Sequence, residues 1–156
     1  MLLEPHFQNA YVTRDMDRAL AALRTQHNID SFKCYEAAIT VTTASGTGPA
    51  RMKVALAWLG TLQYELIQPV SGLVDVYQDA LRDMAANQLL RFHHVAVRTI
   101  DWNQLRDGIG KHRKTVVLEG ATEGLRFVYV DARDTLGHYV EYVWMTPERW
   151  MATTRA

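Results

Sequence analysis

The sequence predicts an α+β fold built from two consecutive βαβββ modules. The main observation is an internal repeat. The segment Arg91-Phe-His-His-Val-Ala-Val-Arg-Thr-Ile-Asp101 has an earlier counterpart in Phe7-Gln-Asn-Ala-Tyr-Val-Thr-Arg-Asp15, which reads as a second copy of it. Superimposing Asp15 on Asp101 places Gln8 on His94. Both copies run from an alternating, β-prone strand into an acidic helix start. Such repetition predicts paired modules with two curved mixed or antiparallel sheets.

Length and composition indicate one globular domain over residues 1–156. The 156 residues are 48% hydrophobic, which is enough to fill a core. Seventeen basic and 17 acidic residues cancel, so nucleic acid and anionic membranes are not expected partners. The single cysteine, Cys34, suits a reducing compartment, and we find neither a signal peptide nor an apolar run of about 20 residues. A cytoplasmic protein is therefore expected.

The first module covers residues 7–69. Residues 7–13 alternate as a strand, and Asp15 is placed to cap a helix that fades near His27. Three more strands are expected at residues 32–43, 52–59 and 62–68, separated by the turn cluster 44–49 and by Gly60-Thr61. Pro69 is expected to end the last strand.

Residues 70–90 are expected to connect the modules through a turn and an irregular helical pattern. The second module covers residues 91–144 and repeats the element order of the first. It comprises a strand from Phe92, a helix from Asp101 that ends at Gly108 to Gly110, and strands at 115–118, 125–130 and 137–144. Thr146-Pro147 is typical of a helix start, so residues 145–156 are predicted to be a C-terminal helix or tail.

Each module carries two polar groups on otherwise apolar strands. Gln8 and His94 lie early in the first strands, and Glu65 and Glu141 occupy repeat-equivalent positions in the last strands. A carboxylate between apolar neighbours on a strand requires a physical reason, although both could simply lie on an exposed sheet face. If the first and last strands of each module are neighbours, the four side chains converge in one cavity.

An amide oxygen, an imidazole nitrogen and two carboxylates are suitable ligands for one divalent ion such as Zn, Ni, Co, Mn or Fe. The two carboxylates balance the charge of the ion. An octahedral ion with four protein ligands keeps two positions for water or for adjacent oxygens of a substrate. The sequence therefore predicts a metal site of Gln8, Glu65, His94 and Glu141, although a strand histidine is more often a structural residue.

This arrangement over residues 7–144 resembles the vicinal oxygen chelate superfamily, in which two βαβββ modules pair around a metal ion. The four candidate ligands are similar to the Gln/Glu/His/Glu set of eukaryotic-type glyoxalase I. The chain is also similar to methylmalonyl-CoA epimerases in the segment Leu62-Gln-Tyr-Glu-Leu-Ile-Gln-Pro69. It differs from their His/Gln/His/Glu ligand pattern at two positions, Gln8 and Glu65. We find no residues by which glyoxalase I would hold glutathione, so that substrate is not carried over.

The resemblance implies a metal-dependent isomerase or lyase that removes a proton beside a carbonyl and stabilises an enediolate on the metal. Glu141 is the expected base and Glu65 is the second choice. Two alternatives stay open. One is a metal-free module of the same fold that sequesters a small hydrophobic compound, as drug-binding members do. The other is a metal-dependent dioxygenase, which Gln8 disfavours because those enzymes need two histidines and one carboxylate.

Three further residues are candidates for substrate contact. Arg98 shares a strand face with His94 and can meet a carboxylate or phosphate, whereas Trp58 and Tyr11 can line a pocket or simply belong to the core. His93 is expected to point away from His94, because adjacent strand residues alternate between faces.

A small carbonyl compound is the expected partner, together with a second copy of the chain. The modules are expected to leave sheet edges that a homodimer would cover, and aromatic residues are plentiful. The sequence leaves open whether the site lies within one chain or across a dimer.

Overall fold

The computed structural model describes residues 6–154, which contain eight strands and five helices. In chain order these are β1 (His6–Val12), α1 (Met16–His27), β2 (Lys33–Thr43), β3 (Gly46–Leu59), β4 (Leu62–Gly72), α2 (Asp75–Arg82), β5 (Arg91–Arg98), α3 (Trp102–Lys111), β6 (Val116–Thr122), β7 (Leu125–Asp131), α4 (Arg133–Leu136), β8 (Tyr139–Met145) and α5 (Pro147–Thr154). The predicted α+β class and the repeated order of strand, helix and three strands are confirmed.

The eight strands form one closed barrel in the order β1-β4-β3-β2-β6-β7-β8-β5. The first and last strands of each half are parallel neighbours, β1 with β4 and β5 with β8. The halves meet twice, through the antiparallel pairs β1–β5 and β2–β6. Because both junctions are hydrogen-bonded, the two expected sheets are continuous with each other, and the first and last strands enclose a common interior.

Two helices cover the outside of the barrel in equivalent positions. Helix α1 buries Met16 and Ala19 against Leu66 of β4, and helix α3 buries Leu105 and Ile109 against the outer face of β7 and β8. Burial of a side chain such as Leu66 contributes about 1.5–3 kcal/mol to folding. Alternation then directs the residues on either side of Leu66, including Glu65, towards the barrel interior.

Helix starts follow the sequence prediction closely. Asp15 accepts a hydrogen bond from the backbone N–H of Arg18, and Asp101 accepts the equivalent bond from Gln104. Thr146 accepts one from the N–H of Arg149, one residue before α5 begins at Pro147. These side chains satisfy amide groups that the first helical turn leaves unpaired.

Some strand and helix ends differ from the prediction. Strand β3 begins at Gly46, so most of the predicted turn 44–49 belongs to a strand, and strand β6 extends to Thr122, beyond the predicted end at residue 118. Helix α3 includes both of its glycines, and the short helix α4 was not predicted. Cross-strand pairing stabilises the longer strands. This pairing depends on the residues of neighbouring strands, so local turn residues do not predict it.

Pro69 does not end β4, which continues to Gly72. Strand β1 pairs with β4 only as far as Ile67, so the missing N–H of Pro69 leaves no bond unmade on that side. On the other side, the register with β3 shifts at the same place, between Arg51 and Met52. A bulge therefore accommodates the proline inside the strand.

Barrel closure bears on the expected homodimer. Within residues 6–154, both outer strands of each half are paired with the other half, so the open sheet edges that motivated the prediction are absent. The homodimer stays a prediction that rests on aromatic content alone. None of the helices within the same residues reaches the length and apolar character that crossing a membrane requires.

Candidate metal centre

The strand register places the two predicted carboxylates in equivalent positions. In the β1–β4 pair, Glu65 lies opposite the residue two positions after Gln8, and in the β5–β8 pair, Glu141 lies opposite the residue two positions after His94. Both residues lie on strand faces directed into the barrel. One chain therefore supplies both halves of the site.

Glu65, His94 and Glu141 form a tight cluster. The Nε2 atom of His94 lies 3.6 Å from a carboxylate oxygen of Glu65 and 3.3 Å from one of Glu141. The ligand atoms of all three residues lie within 4.8 Å of one another. The side chain of His94 is 0% exposed, and those of Glu65 and Glu141 are 15% and 12% exposed. Strands from both halves thus bring distant residues together in a largely buried place.

Gln8 lies on the wall of the same cavity. Its Nε2 donates to Oε1 of Gln63 over 2.7 Å, and both side chains are buried. Within residues 6–154, Oε1 of Gln8 is a buried acceptor without a hydrogen-bond partner. Such an acceptor is costly to bury unless something else binds it. Gln63 was missed by the sequence analysis, although its position two residues before Glu65 places it on the same strand face.

These donors fit a divalent metal ion. Metal–ligand bonds of about 2.1 Å place ligand atoms about 3.0 Å apart at right angles and about 4.2 Å apart in opposite positions. The 3.3 and 3.6 Å separations from Nε2 of His94 need only small side-chain movements to meet this geometry. The unpaired oxygen of Gln8, on the wall of the same cavity, is a donor of the predicted type, and its role as a fourth ligand stays a prediction.

Two β-bulges lie next to the site, one in each half. The register between β1 and β5 skips Phe7, just before Gln8, and skips His93, just before His94. A bulge residue lets two consecutive side chains lie on one side of the strand. The expectation that His93 points away from His94 is therefore wrong, because simple alternation does not hold across the bulge.

His93 is buried and contacts His94 directly. The two Nδ1 atoms lie 2.8 Å apart, and Nε2 of His93 lies 3.0 Å from the carbonyl oxygen of Val76. Burial and the neighbouring His94 lower the pKa of His93 to about 3. His93 is therefore neutral at physiological pH.

The carboxylates determine the charge of His94 in the metal-free protein. Burial opposes its protonation, but hydrogen bonds with Glu141 and Glu65, together with the charges of both carboxylates, raise its pKa to about 9. Burial raises the pKa of Glu141, the charge of Glu65 adds to this, and His94 opposes it. In the metal-free protein, a protonated His94 thus provides positive charge beside the two glutamates, as a bound metal ion would.

Two buried tyrosines complete the polar group. The hydroxyl of Tyr77 donates to that of Tyr129 over 3.1 Å, and the Tyr129 hydroxyl lies 3.4 Å from Nε2 of His94. Burial and the charge of Glu141 raise the pKa of Tyr129 well above 10, so its hydroxyl stays protonated. The sequence analysis missed both tyrosines. Only the pairing of Tyr129 with Glu141 across β7 and β8 would have revealed the connection.

The cluster opens into a cavity of about 460 Å³. Its walls are mostly apolar and include Ile39, Val54, Ile67 and Phe127. Towards β2 and α5 the cavity adjoins a second pocket of about 300 Å³, which Lys33 and Arg149 line. The chain therefore combines a polar end, apolar walls and an adjoining pocket with two basic side chains, an arrangement that suits a small organic ligand.

Of the three predicted substrate contacts, Trp58 lies at the second pocket, whereas the side chains of Tyr11 and Arg98 pack against other aromatic rings. Trp58 lines the second pocket and donates from Nε1 to the carbonyl oxygen of Thr153 over 2.9 Å. Tyr11 packs outside the barrel, where it stacks on Tyr64. The guanidinium of Arg98 lies 4.2 Å over the ring of Trp150, because α5 covers the end of strand β5.

Scans against protein-family models and searches of curated proteins give no match to this chain. Among solved structures, the chain is similar to the methylmalonyl-CoA epimerase of Mycobacterium tuberculosis, with 12% identity, a TM-score of 0.57, and 94% of this chain and 91% of that chain covered. It is also similar to a variant of the Streptomyces coelicolor methylmalonyl-CoA epimerase in complex with 2-nitronate-propionyl-CoA, with 18% identity, a TM-score of 0.61, and coverage of 93% and 99%.

A third similar structure is a methylmalonyl-CoA epimerase in complex with methylmalonyl-CoA and NH4+, with 17% identity, a TM-score of 0.60, and coverage of 93% and 96%. These likenesses extend over nearly the whole of each chain, so they compare complete folds. At such low identities they concern architecture and leave activity open. The chain has the fold of the methylmalonyl-CoA epimerases, a fold of the vicinal oxygen chelate type.

Proposed function

We propose that this protein is a metal-dependent isomerase or lyase that removes a proton from the carbon beside a carbonyl group. The observation that carries the proposal is the convergence of Glu65, His94 and Glu141, whose ligand atoms lie within 4.8 Å of one another at one end of a cavity. Among these two classes, the fold of the epimerases favours an isomerase.

The ion would be held by Nε2 of His94, by one carboxylate oxygen each of Glu65 and Glu141, and by Oε1 of Gln8. When bound there, a divalent ion polarises a carbonyl group and makes the adjacent C–H more acidic. Zn, Ni, Co, Mn and Fe all accept this mixture of nitrogen and oxygen ligands, so metal analysis of the purified protein is needed to identify the ion.

Glu141 is the proposed base. Its carboxylate takes the proton from one face of the substrate carbon and becomes a carboxylic acid. Burial raises the pKa of Glu141 above that of an exposed glutamate and so brings it closer to the pH at which the enzyme would work.

The symmetry of the two halves supports an isomerase over a lyase. Glu65 approaches His94 from β4 and Glu141 approaches it from β8, so carboxylates from the two halves meet at the same imidazole nitrogen. An epimerisation needs a proton to leave one face of a carbon and return on the other. Paired carboxylates provide a base for one face and an acid for the opposite face.

Tyr129 can assist as a hydrogen-bond donor. Its hydroxyl remains protonated and, because it accepts from Tyr77, keeps its own hydrogen for another acceptor. A carbonyl oxygen near His94 gains negative charge as the proton leaves, and a fixed donor there stabilises it.

The substrate class proposed is a small acyl thioester with a hydrogen on the carbon beside the carbonyl. Two of the similar epimerase structures contain CoA thioesters. The apolar walls suit the acyl part, and Lys33 and Arg149 lie where an anionic remainder would emerge. Hemithioacetals are the second class to test, because the ligand set resembles that of glyoxalase I.

Deuterium exchange tests the proposal directly. The purified protein is reconstituted with each of the five metals and incubated in D2O with acyl thioesters and hemithioacetals, and exchange at the carbon beside the carbonyl is followed by NMR. We expect a stoichiometric metal and exchange that requires it. A protein that binds no metal and exchanges no proton, yet binds apolar ligands, would identify the sequestering module instead.

The apolar walls of the cavity are the observation that keeps this sequestering alternative in view. A metal-dependent dioxygenase is disfavoured because Gln8 occupies the position of a histidine ligand. Cytoplasmic location and homodimer formation remain proposals, and light scattering at tens of micromolar tests the latter.

A further inference from the structure

The β-bulge at His93 brings two imidazoles into contact inside the barrel, and the partners of His93 restrict which atoms carry hydrogen. The carbonyl oxygen of Val76 can only accept, so Nε2 of His93, at 3.0 Å, carries a hydrogen and donates it. The two Nδ1 atoms, 2.8 Å apart, share a single hydrogen that either His93 or His94 supplies.

The groups around His93 indicate which of the two Nδ1 atoms carries the shared hydrogen. If His93 supplied this hydrogen, it would be a buried cation whose neighbours are a carbonyl group and the rings of Tyr77, Tyr129 and Tyr139. An unpaired buried charge is strongly unfavourable. If His94 supplies it, His93 is neutral and every hydrogen-bonding atom of both rings has a suitable partner.

We infer that His93 is a positioning residue that accepts a hydrogen bond from Nδ1 of His94 and thereby directs the other nitrogen, Nε2, towards Glu65 and Glu141 as a metal ligand. The inference deepens the proposed function and rests on it for the role of the metal. A fixed hydrogen bond to the far nitrogen of a ligand histidine sets its tautomer and ring orientation, and raises its basicity.

The other half of the molecule offers an internal comparison. The equivalent bulge residue is Phe7, which also faces the cavity but has no hydrogen-bonding atom. Its neighbour Gln8 needs none, because the amide of Gln8 is held by Gln63 from β4. The bulge is thus common to both halves, whereas an acceptor is present at the bulge only where the adjacent ligand is a histidine.

A matched pair of variants isolates the acceptor. Asparagine and leucine have nearly the same shape, and the amide oxygen of asparagine can take the place of Nδ1. Neither reaches Val76, so both variants lose that second bond equally. We compare His93→Asn with His93→Leu by Zn²⁺ affinity, measured against a competing chelator, and by thermal unfolding of the metal-free proteins.

We expect His93→Leu to weaken Zn²⁺ binding by about 10–100-fold, the usual effect of losing such a partner, and His93→Asn to stay within about threefold of the unsubstituted protein. Equal losses in both variants, or no loss in either, would overturn the inference. Thermal unfolding shows whether a difference in affinity arises from the site or from the fold.

An NMR measurement tests the hydrogen bond without relying on metal. In protein with ¹⁵N-labelled histidine, the shared hydrogen has a large coupling to the nitrogen that carries it and a small one to the acceptor. We expect Nδ1 of His94 to be the donor, with or without Zn²⁺. A hydrogen on Nδ1 of His93 would refute the assignment, whereas failure of the unsubstituted protein to bind metal would refute only the proposed function.

Discussion

Nε2 of His94 lies 3.3 Å from a carboxylate oxygen of Glu141. The two residues are 47 positions apart in sequence, but β5 and β8 are parallel neighbours whose register brings them together inside the barrel. In the other half, Ala10 of β1 pairs with both Glu65 of β4 and His94 of β5, and a carboxylate oxygen of Glu65 lies 3.6 Å from the same Nε2 atom. His94 is therefore the member of the cluster that both halves of the chain approach.

Removing the imidazole tests the metal site. His94→Ala deletes the one nitrogen ligand, so we expect the affinity for Zn²⁺ to fall by more than the roughly 10–100-fold that the loss of an outer partner costs. Isothermal titration calorimetry provides the measurement, and circular dichroism checks the fold. His112→Ala, at an exposed histidine, is the control and is expected to bind like the unsubstituted protein. Unchanged binding by His94→Ala would place the metal elsewhere.

Glu141→Gln tests the base. The amide keeps an oxygen for the ion but cannot accept the substrate proton, so we expect metal to remain while proton exchange in D2O falls by about 10²-fold or more. Glu65→Gln is the matched variant in the other half. If Glu65→Gln abolishes exchange while Glu141→Gln retains it, the assignment of the base is reversed.

Metal binding should depend on pH through His94. In the metal-free protein the flanking glutamates overcome the effect of burial and raise its pKa to about 9, so a metal ion must displace a proton below that pH. We expect the apparent Zn²⁺ affinity to rise about tenfold per pH unit between pH 7 and 9, and then to level off. Chelator competition across this range checks it. A plateau beginning near pH 6.5 would mean that the carboxylates do not interact with His94 as the distances require.

The same shift affects stability with a defined sign. The pKa of His94 is higher in the folded metal-free protein than its ordinary value of 6.5. The protonated form therefore stabilises the fold fully below about pH 6.5, and this contribution disappears as pH rises to about 9. We expect denaturant unfolding to show a loss of stability over this window that His94→Ala does not share. Parallel pH profiles for the two proteins would contradict this.

Tyr129→Phe tests the hydroxyl beside His94. If the hydroxyl stabilises developing charge on the substrate oxygen, we expect exchange to fall by about 10²-fold with Zn²⁺ affinity unchanged. Tyr77→Phe is the control, because its hydroxyl bonds to Tyr129 and lies one step further from His94. A larger loss of exchange in Tyr77→Phe than in Tyr129→Phe would refute the role of Tyr129.

The sequence determined the repeated element order and the helix starts. Alternating apolar residues and capping side chains act over a few positions, so Asp15, Asp101 and Thr146 could be identified from their neighbours alone. The repeat also related Glu65 to Glu141 and Gln8 to His94 before any contact was known. Local patterns carry this information because they reflect short-range physical preferences.

Tertiary structure decided what the residues around the site contact. The closed barrel and the bulges at Phe7 and His93 depend on strand register, which arises from pairing between residues distant in sequence. Register placed His93 against His94, and it brought Tyr129 beside them from β7. It also left Tyr11 outside the barrel and Arg98 over Trp150. Side-chain direction at a bulge follows from the neighbouring strand, so no local pattern in the sequence could reveal it.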